Sequence, residues 1–370
     1  MNEQIRRRLD QISGMLDQEH IKKAEELQEK VWAFKPVDKI PSIISDFIPS
    51  DHKLYPYSET FTDMDKMFWN ELALTYAGTI LKDHRMFTLR ANYGPAIIPS
   101  IFGADFIVDK NTTWVNGFHS SIKIKDLINR GIPDINTGLC SRSFETQAFF
   151  KNYLTESGLD KVMHIVQTDT QGPFDIAEMI WGAEIYYAMC DEPELVHEFM
   201  RLITETIILY IKQLKINTNE SLDEIYHWWY KVPAAVRIVD DVSTNLSPEM
   251  YSEFVKPYNE QVFNAFGSGY MHYCGHGLQS QELRLDTKGL KGIEMAGGNV
   301  AQNTWEFNLK SIWEQAFKKK VTICWLIPGL PENRPELNTG LIYLSSVTNA
   351  VNPPENVSEY YKKVRDFWSF

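Results

Sequence analysis

The sequence predicts an α/β protein built as a (β/α)8 TIM-type barrel behind an N-terminal helical extension. From about residue 85 onward, short runs rich in Val and Ile alternate with longer segments of helical periodicity. Strands and helices that alternate in this way pair in parallel through right-handed crossovers, and about seven or eight such units fit a closed barrel. An open doubly wound sheet is the alternative, although no GxGxxG or GxxxxGK[ST] motif supports a nucleotide cofactor.

The extension is predicted over residues 1–63 and the barrel over residues 64–370. Apolar residues recur at helical spacing in residues 4–32, among many charges, which indicates one or two amphipathic helices. Pro36 and Pro41 end this segment, and residues 64–81 form the next predicted helix. The apolar stripe that begins with Ile5 and Leu9 must be covered by another protein surface. A homodimer is one candidate for that cover.

The barrel strands follow from short apolar runs that end at Gly, Pro, Asn or Asp. They are predicted at residues 85–90, 161–168, 234–239, 269–274, 292–296, 321–327 and 341–345. Helices are predicted from about residue 175, from a capping box formed by Asp191 and Glu194, and from Ser247 with Pro248 at its first turn.

Composition excludes several classes of partner. The chain has 370 residues, with 37 Lys and Arg against 49 Asp and Glu, giving a net charge of −12 that repels nucleic acid and anionic lipid. No apolar run is long enough to span a membrane, and the first residues lack a signal-peptide core, so we expect a cytoplasmic protein. The four cysteines are expected to be thiols or metal ligands.

Catalytic groups of a parallel barrel lie at the carboxyl ends of its strands, and these positions are polar here. The candidates for acid–base or electrostatic roles are Asp240, Asp241 and Glu294, and only one of the adjacent aspartates can face the site. The candidates for substrate binding are Gln171, Asn299 and Arg90.

The segment MHYCGHG predicts a metal site. His272 and Cys274 are two residues apart in a predicted strand, so they face the same way and could share one zinc ion. Zinc needs a third protein ligand, for which the candidates are Cys324, His276, Glu294 and one of the two aspartates. An inert buried thiol and a core histidine are the alternative interpretations of this pair.

The chain contains an ordered set of motifs. They are Gln171–Phe174 with Ile176, Ala177 and Gly182, then Glu192–His197, Asp240–Asp241, Ser247–Tyr251 with Phe254, Lys256, Pro257 and Tyr258, His272–Gly275, and Asn352–Asn356. Together they resemble the uroporphyrinogen decarboxylase superfamily, and most closely its branch of methyltransferases that move methyl groups between corrinoid proteins and thiols. The resemblance covers about three quarters of the chain, from about Arg85 to the C-terminus.

This resemblance implies a distorted barrel and a zinc ion held by H-x-C plus a later cysteine. His272 and Cys274 match the first two positions, but the later one falls near Ser346 or Val347, where this chain has no thiol. The arginine-rich N-terminal motif of the decarboxylase branch is absent from residues 31–40.

Zinc-dependent methyl transfer between a corrinoid and a thiol is therefore the first functional hypothesis, with a small-molecule substrate and a corrinoid protein as partners and zinc as the cofactor. A metal-free decarboxylase or other lyase acting on a small acid or tetrapyrrole is the second. A glycosidase using Asp240 or Asp241 with Glu294, and a binding protein that has lost the chemistry, are the remaining alternatives.

Overall fold

The computed structural model describes residues 1–275, 277–296, 302–328, 339–346 and 357–368. The α-helices of these ranges are α1 Glu3–Met15, α2 Gln18–Trp32, α3 Tyr57–Thr60, α4 Met64–Leu81, α5 Ile97–Ile101, α6 Ser121–Arg130, α7 Gly138–Ser157, α8 Pro173–Trp181, α9 Glu184–Asp191, α10 Pro193–Thr218, α11 Pro248–Phe254, α12 Lys256–Phe266, α13 Gln281–Leu285, α14 Gln302–Lys319 and α15 Val357–Trp368. The strands are β1 Ser42–Ile44, β2 Phe87–Arg90, β3 Asp105–Val108, β4 Thr113–Asn116, β5 Met163–Val166, β6 Ile225–His227, β7 Tyr230–Val232, β8 Val236–Val239, β9 Gly269–Cys274, β10 Leu290–Ala296, β11 Thr322–Pro328 and β12 Leu341–Ser346.

Parallel pairing dominates the sheet structure, which confirms the α/β class. Six strands form one parallel sheet in the order β1-β12-β11-β10-β9-β8, and β2 pairs with β5 in a second parallel sheet. The two sheets approach each other where Gln171 forms a single parallel bridge to Val239. Nearby, the Gln167 side chain bonds the backbone of Arg237 at 2.6 and 3.1 Å. Closure of the strands into a complete barrel stays a prediction.

The sheet has apolar side chains on both faces. One face packs against the helices, through residues such as Met271, Ile323 and Tyr343. The alternate residues Tyr270 and Cys324 belong to a second buried cluster with Trp32, Trp229 and Tyr230. Since successive side chains of a strand point to opposite faces, the two clusters lie on opposite sides of the sheet.

Several predicted elements match the structure. The helix at residues 64–81 and the strand at residues 269–274 have the predicted bounds. Ser247 caps α11 through the amide of Met250, with Pro248 in the first turn. The capping box of Asp191 and Glu194 was wrong, because α10 begins one residue later than that pattern requires, at Pro193, and has no side-chain cap.

The N-terminal range is not only helical. Ser42–Ile44, inside residues 1–63, forms a strand of the main sheet by pairing with β12. Ile5, Leu9 and Ile12 of α1 are buried, and this helix contacts α4 and α7 of the same chain. The apolar stripe of α1 is therefore covered within the chain. The division into an extension and a barrel stays a prediction.

Two antiparallel hairpins, β3–β4 and β6–β7, were not predicted from the sequence. The second carries Trp229 and Tyr230 into the smaller buried cluster. Among the described helices, none is long and apolar enough to cross a membrane.

Candidate metal centre and adjoining cleft

Three potential metal ligands meet at the carboxyl ends of β8 and β9. The ligand atoms of Asp241, His272 and Cys274 all lie within 4.8 Å of one another. His272 Nε2 is 3.2 Å from Cys274 Sγ and 3.7 Å from Asp241 Oδ1. Within the described part of the chain, this is the group of His, Cys, Asp and Glu side chains arranged to hold a metal ion.

The donor set of this group fits zinc. Thiolate, imidazole and carboxylate are the protein ligands of zinc, and tetrahedral bonds of usual length hold N and S about 3.5 Å apart. The observed N–S separation of 3.2 Å is close to that value. A zinc ion held by these three side chains would keep one further position for water or substrate, as catalytic zinc sites do.

Glu294 orients the imidazole of His272. The two residues are register partners on β10 and β9, and His272 Nδ1 donates to Glu294 Oε1 at 2.9 Å. Tyr270 donates its hydroxyl to the other carboxylate oxygen at 3.1 Å. Burial opposes both charges, but the ion pair raises the pKa of His272 well above its ordinary value and lowers that of Glu294. A carboxylate bound to Nδ1 fixes the ring so that Nε2 faces the other two ligands.

Asp241 is held in place by a second, buried carboxylate. Asp175 accepts hydrogen bonds from the amides of Asp241 and Val242 at 2.8 and 3.0 Å. Asp241 Oδ1 in turn accepts from the amide of Cys274 at 2.6 Å. Burial and the neighbouring aspartate charges raise the pKa of Asp175 well above its ordinary value. Sequence reasoning missed this residue, whose position in the first turn of α8, directly after the Gln171–Phe174 motif, was the available signal.

Asp240 has a different environment from Asp241. It is 2% exposed, and its carboxylate accepts from Arg284 Nε at 3.2 Å. Arg284 also donates to Ser243 and to the Gly277 carbonyl, at 2.8 and 2.6 Å. Asp240 is therefore bound up in a buried ion pair, and the structure does not bring it into the metal group. Its predicted catalytic role finds no support in this position.

Cys324 also lies apart from the metal group. Its register partner is Glu294, whose other neighbour is His272, so Cys324 is two strands away from His272. With strands spaced about 4.8 Å apart, that separation is about 10 Å. The thiol is fully buried, and burial raises its pKa well above the ordinary value. In the structure Asp241, and not Cys324, lies with His272 and Cys274 in the group that could hold a metal ion.

The structure describes only some of the other positions considered from the sequence. His276, Asn299 and Val347 lie outside the described residues. Gln171 and Arg90 lie beside Asp169, at 3.3 Å for Gln171 Nε2 and 3.9 Å for Arg90 Nη1.

Asp169 is shared by two arginines. Arg237 Nη1 binds its Oδ1 at 2.9 Å, opposite the longer contact from Arg90. Burial opposes the charge of Asp169, but the two guanidiniums lower its pKa below the ordinary value. The Arg90 guanidinium also lies 4.6 Å from the centre of the Trp228 ring. Arg90 keeps 14% of its side chain exposed, so it remains accessible at the end of β2.

A cleft of about 580 Å³ adjoins the metal group. Its ionisable lining residues are Asp169, Asp175, Glu178, Asp241 and His119. The β3–β4 hairpin forms one wall, where Trp114 is 57% exposed. Because Asp241 belongs to both the cleft and the metal group, a molecule bound in the cleft would lie next to the metal position.

Comparison with known proteins informs the fold. No protein-family model matches the sequence, and no curated protein matches it. The structure is similar to a methyltransferase from Methanosarcina mazei, with a TM-score of 0.63 and 14% sequence identity, over 94% of this chain and 98% of that chain. The chain shares the fold of that methyltransferase. At this identity the similarity concerns the fold alone.

Proposed function

We propose that the chain is a zinc-dependent methyltransferase that moves a methyl group between a corrinoid and a thiol. The arrangement of Asp241, His272 and Cys274, with Glu294 behind the imidazole, is the observation that carries this proposal. The similarity of fold to a methyltransferase agrees with it. The motif resemblance from Gln171 to Asn356 adds the corrinoid and the thiol as the expected reactants.

In this proposal, Cys274, His272 and Asp241 hold the metal and the cleft holds the thiol. A zinc ion held there would lower the pKa of a bound thiol and would serve as Lewis acid and template. The thiolate sulfur would take the methyl group from the corrinoid, which would keep the electron pair of the broken bond. Gln171 and Arg90, beside Asp169, position the substrate. The corrinoid is carried by a partner protein.

The glycosidase alternative loses its pair of carboxylates. Glu294 is 4% exposed and bound to His272, while Asp240 is 2% exposed and bound to Arg284. Neither carboxylate faces an open cleft, which a sugar ring between two carboxyl groups requires.

The proposal is tested by the metal content of protein purified without added metal and without a histidine tag. We expect about one zinc per chain in the wild type. Cys274→Ser and Asp241→Asn should lose most of it, because each removes a ligand. Cys190→Ser is the matched control, since Cys190 is exposed and outside the group. Cys324→Ser should also retain zinc.

Wild-type protein without zinc would overturn the proposal and favour the metal-free lyase or the binding protein. Loss of zinc from Cys324→Ser but not from Asp241→Asn would mean that the ligand set is wrong.

A further inference from the structure

We infer that His119 and Glu184 form a proton-accepting pair that serves the cleft next to the metal group. This inference rests on the proposed function, because it names the group that takes the proton of the bound thiol. His119 Nδ1 lies 2.6 Å from Glu184 Oε2. His119 lines the same cleft as Asp241.

The backbone around His119 is shaped to hold the imidazole at this place. The amides of Phe118 and His119 donate to the carbonyls of Ile180 and Trp181, at 2.8 and 2.9 Å. These bonds fasten the segment before α6 to the end of α8. His119 itself has a φ of +51°, which is uncommon for a residue with a side chain. The two backbone hydrogen bonds thus offset the free-energy cost of this conformation of His119.

Two glycines provide the space for this arrangement. A Cβ atom at Gly182 would lie 2.4 and 2.5 Å from the Cε1 and Nδ1 atoms of His119. A Cβ atom at Gly117 would lie 2.7 Å from the amide nitrogen of Gly182. Any side chain at either position would therefore displace the imidazole or the segment that carries it.

The hydrogen bond to Glu184 determines what the imidazole can do. With the Nδ1 proton donated to the carboxylate, Nε2 is the basic atom of the ring. The side chain of His119 is 56% exposed and lines the cleft, and in this inference Nε2 accepts the proton of a thiol bound there, directly or through a water molecule. In the proton-transfer step the S–H bond breaks, an N–H bond forms at Nε2, and the electron pair stays on sulfur. The proton later leaves to solvent.

Other charged groups face the pair. Glu178 of α8 lies close enough to His119 for its carboxylate to be stabilised by the imidazolium charge, although burial raises the pKa of Glu178. The Glu184 carboxylate lies on α9, and its hydrogen bond from His119 lowers its pKa. Asp175 and Asp241 line the same cleft. His119 thus lies among the carboxylates of the cleft and of α9.

The first test measures proton release on thiol binding. Zinc-loaded protein is titrated with 2-mercaptoethanol in two buffers of different ionisation enthalpy, and the number of protons released per bound thiol is taken from the difference in heat. We expect the wild type to retain part of the proton, whereas His119→Gln releases close to one proton per thiol. Glu184→Gln should lie between them.

The second test follows the demethylation of free methylcobalamin with 2-mercaptoethanol. His119→Gln should lower kcat by about 100-fold with little change in KM, as expected for loss of a general base. Added imidazole should partly restore a His119→Ala variant. Glu192→Gln is the matched control, because Glu192 forms an exposed ion pair with Lys125 at 2.7 Å.

The outcomes separate this inference from the proposed function. If the wild type and His119→Gln both bind zinc and thiol, and release the same number of protons with kcat values within about twofold, this inference is wrong and the proposed function stands. If the wild type binds no zinc, the proposed function fails and takes the inference with it. If His119→Gln alone loses zinc, its role is structural and the inference is wrong.

Discussion

Replacing Glu294 by glutamine removes the charge behind His272 while keeping the shape of the side chain. Both His272 Nδ1 and the Tyr270 hydroxyl donate to this carboxylate, at 2.9 and 3.1 Å. Glutamine offers one oxygen, which can still accept from Nδ1, and the Tyr270 hydroxyl can reverse to accept from the amide. The change therefore converts a charge-assisted bond to a neutral one.

The expected magnitude follows from that conversion. A hydrogen bond to a charged group contributes about 1.5–3 kcal/mol and a neutral one about 0.5–1.5 kcal/mol. The loss of about 1–2 kcal/mol makes His272 a poorer ligand and corresponds to roughly a 10-fold weaker zinc affinity, within the 10- to 100-fold range for such supporting residues. Tyr270→Phe keeps the charge and should change the affinity by less than about threefold.

The assay is competition for zinc against a chromophoric chelator of known affinity, with circular dichroism to show that each variant is folded. Equal zinc affinity in the wild type and Glu294→Gln would refute the role of His272 as a ligand oriented by this carboxylate. A larger loss of zinc affinity in Tyr270→Phe than in Glu294→Gln would mean that packing around the carboxylate, and not its charge, supports zinc binding.

Three predictions concern stability. Arg284→Leu should destabilise the fold by about 3–5 kcal/mol in urea unfolding, because it leaves buried Asp240 without its partner; a change below about 1 kcal/mol would contradict this. Gly292→Ala should lower Tm and cost about 1–3 kcal/mol, since its Cβ would lie 2.4 Å from Trp32, and an unchanged Tm would be evidence against this packing. Burial lowers the pKa of His84 from 6.5 to about 4, so the folded state resists its protonation. The contribution of neutral His84 to folding stability is complete above about pH 6.5. It is lost as the pH falls towards 4, by up to ~3 kcal/mol. The non-titrating variant His84→Asn should therefore lose less stability over this range.

The sequence predicts the relative placement of two side chains correctly when both lie on one strand. His272 and Cys274 are two residues apart in β9, so the period of a strand was enough to place them on one face. The carboxylate of Asp241 was only one of four candidates, because its approach to β9 depends on the loop after β8. That loop is positioned by Asp175, which lies 66 residues earlier in the chain.

The elements that were missed are short or depend on distant partners. β1 has three residues, follows Pro41, and lies in the range that was predicted to be a helical extension. The strands β6 and β7 also have three residues each, and their aromatic side chains gave no sign of whether they face a cleft or a core. His119 carries no local motif, since its partner Glu184 is 65 residues away.

Cys324 shows what spacing alone leaves undecided about a third ligand. Its strand was predicted correctly, and its thiol lies level with Glu294 in the sheet. In the sheet, Glu294 on β10 has His272 of the metal group on one side and Cys324 on the other. The sequence alone does not show this arrangement. That distinction requires the strand order and the register.

The most direct measurement of the central claim is zinc X-ray absorption spectroscopy on the wild type and Cys274→Ser. The account predicts one sulfur at about 2.3 Å, with nitrogen and oxygen ligands at about 2.0–2.2 Å, and no sulfur in the variant. Two sulfur ligands in the wild type would contradict the Asp241–His272–Cys274 site and would mean that a second cysteine binds zinc. Absence of bound zinc would contradict the site altogether.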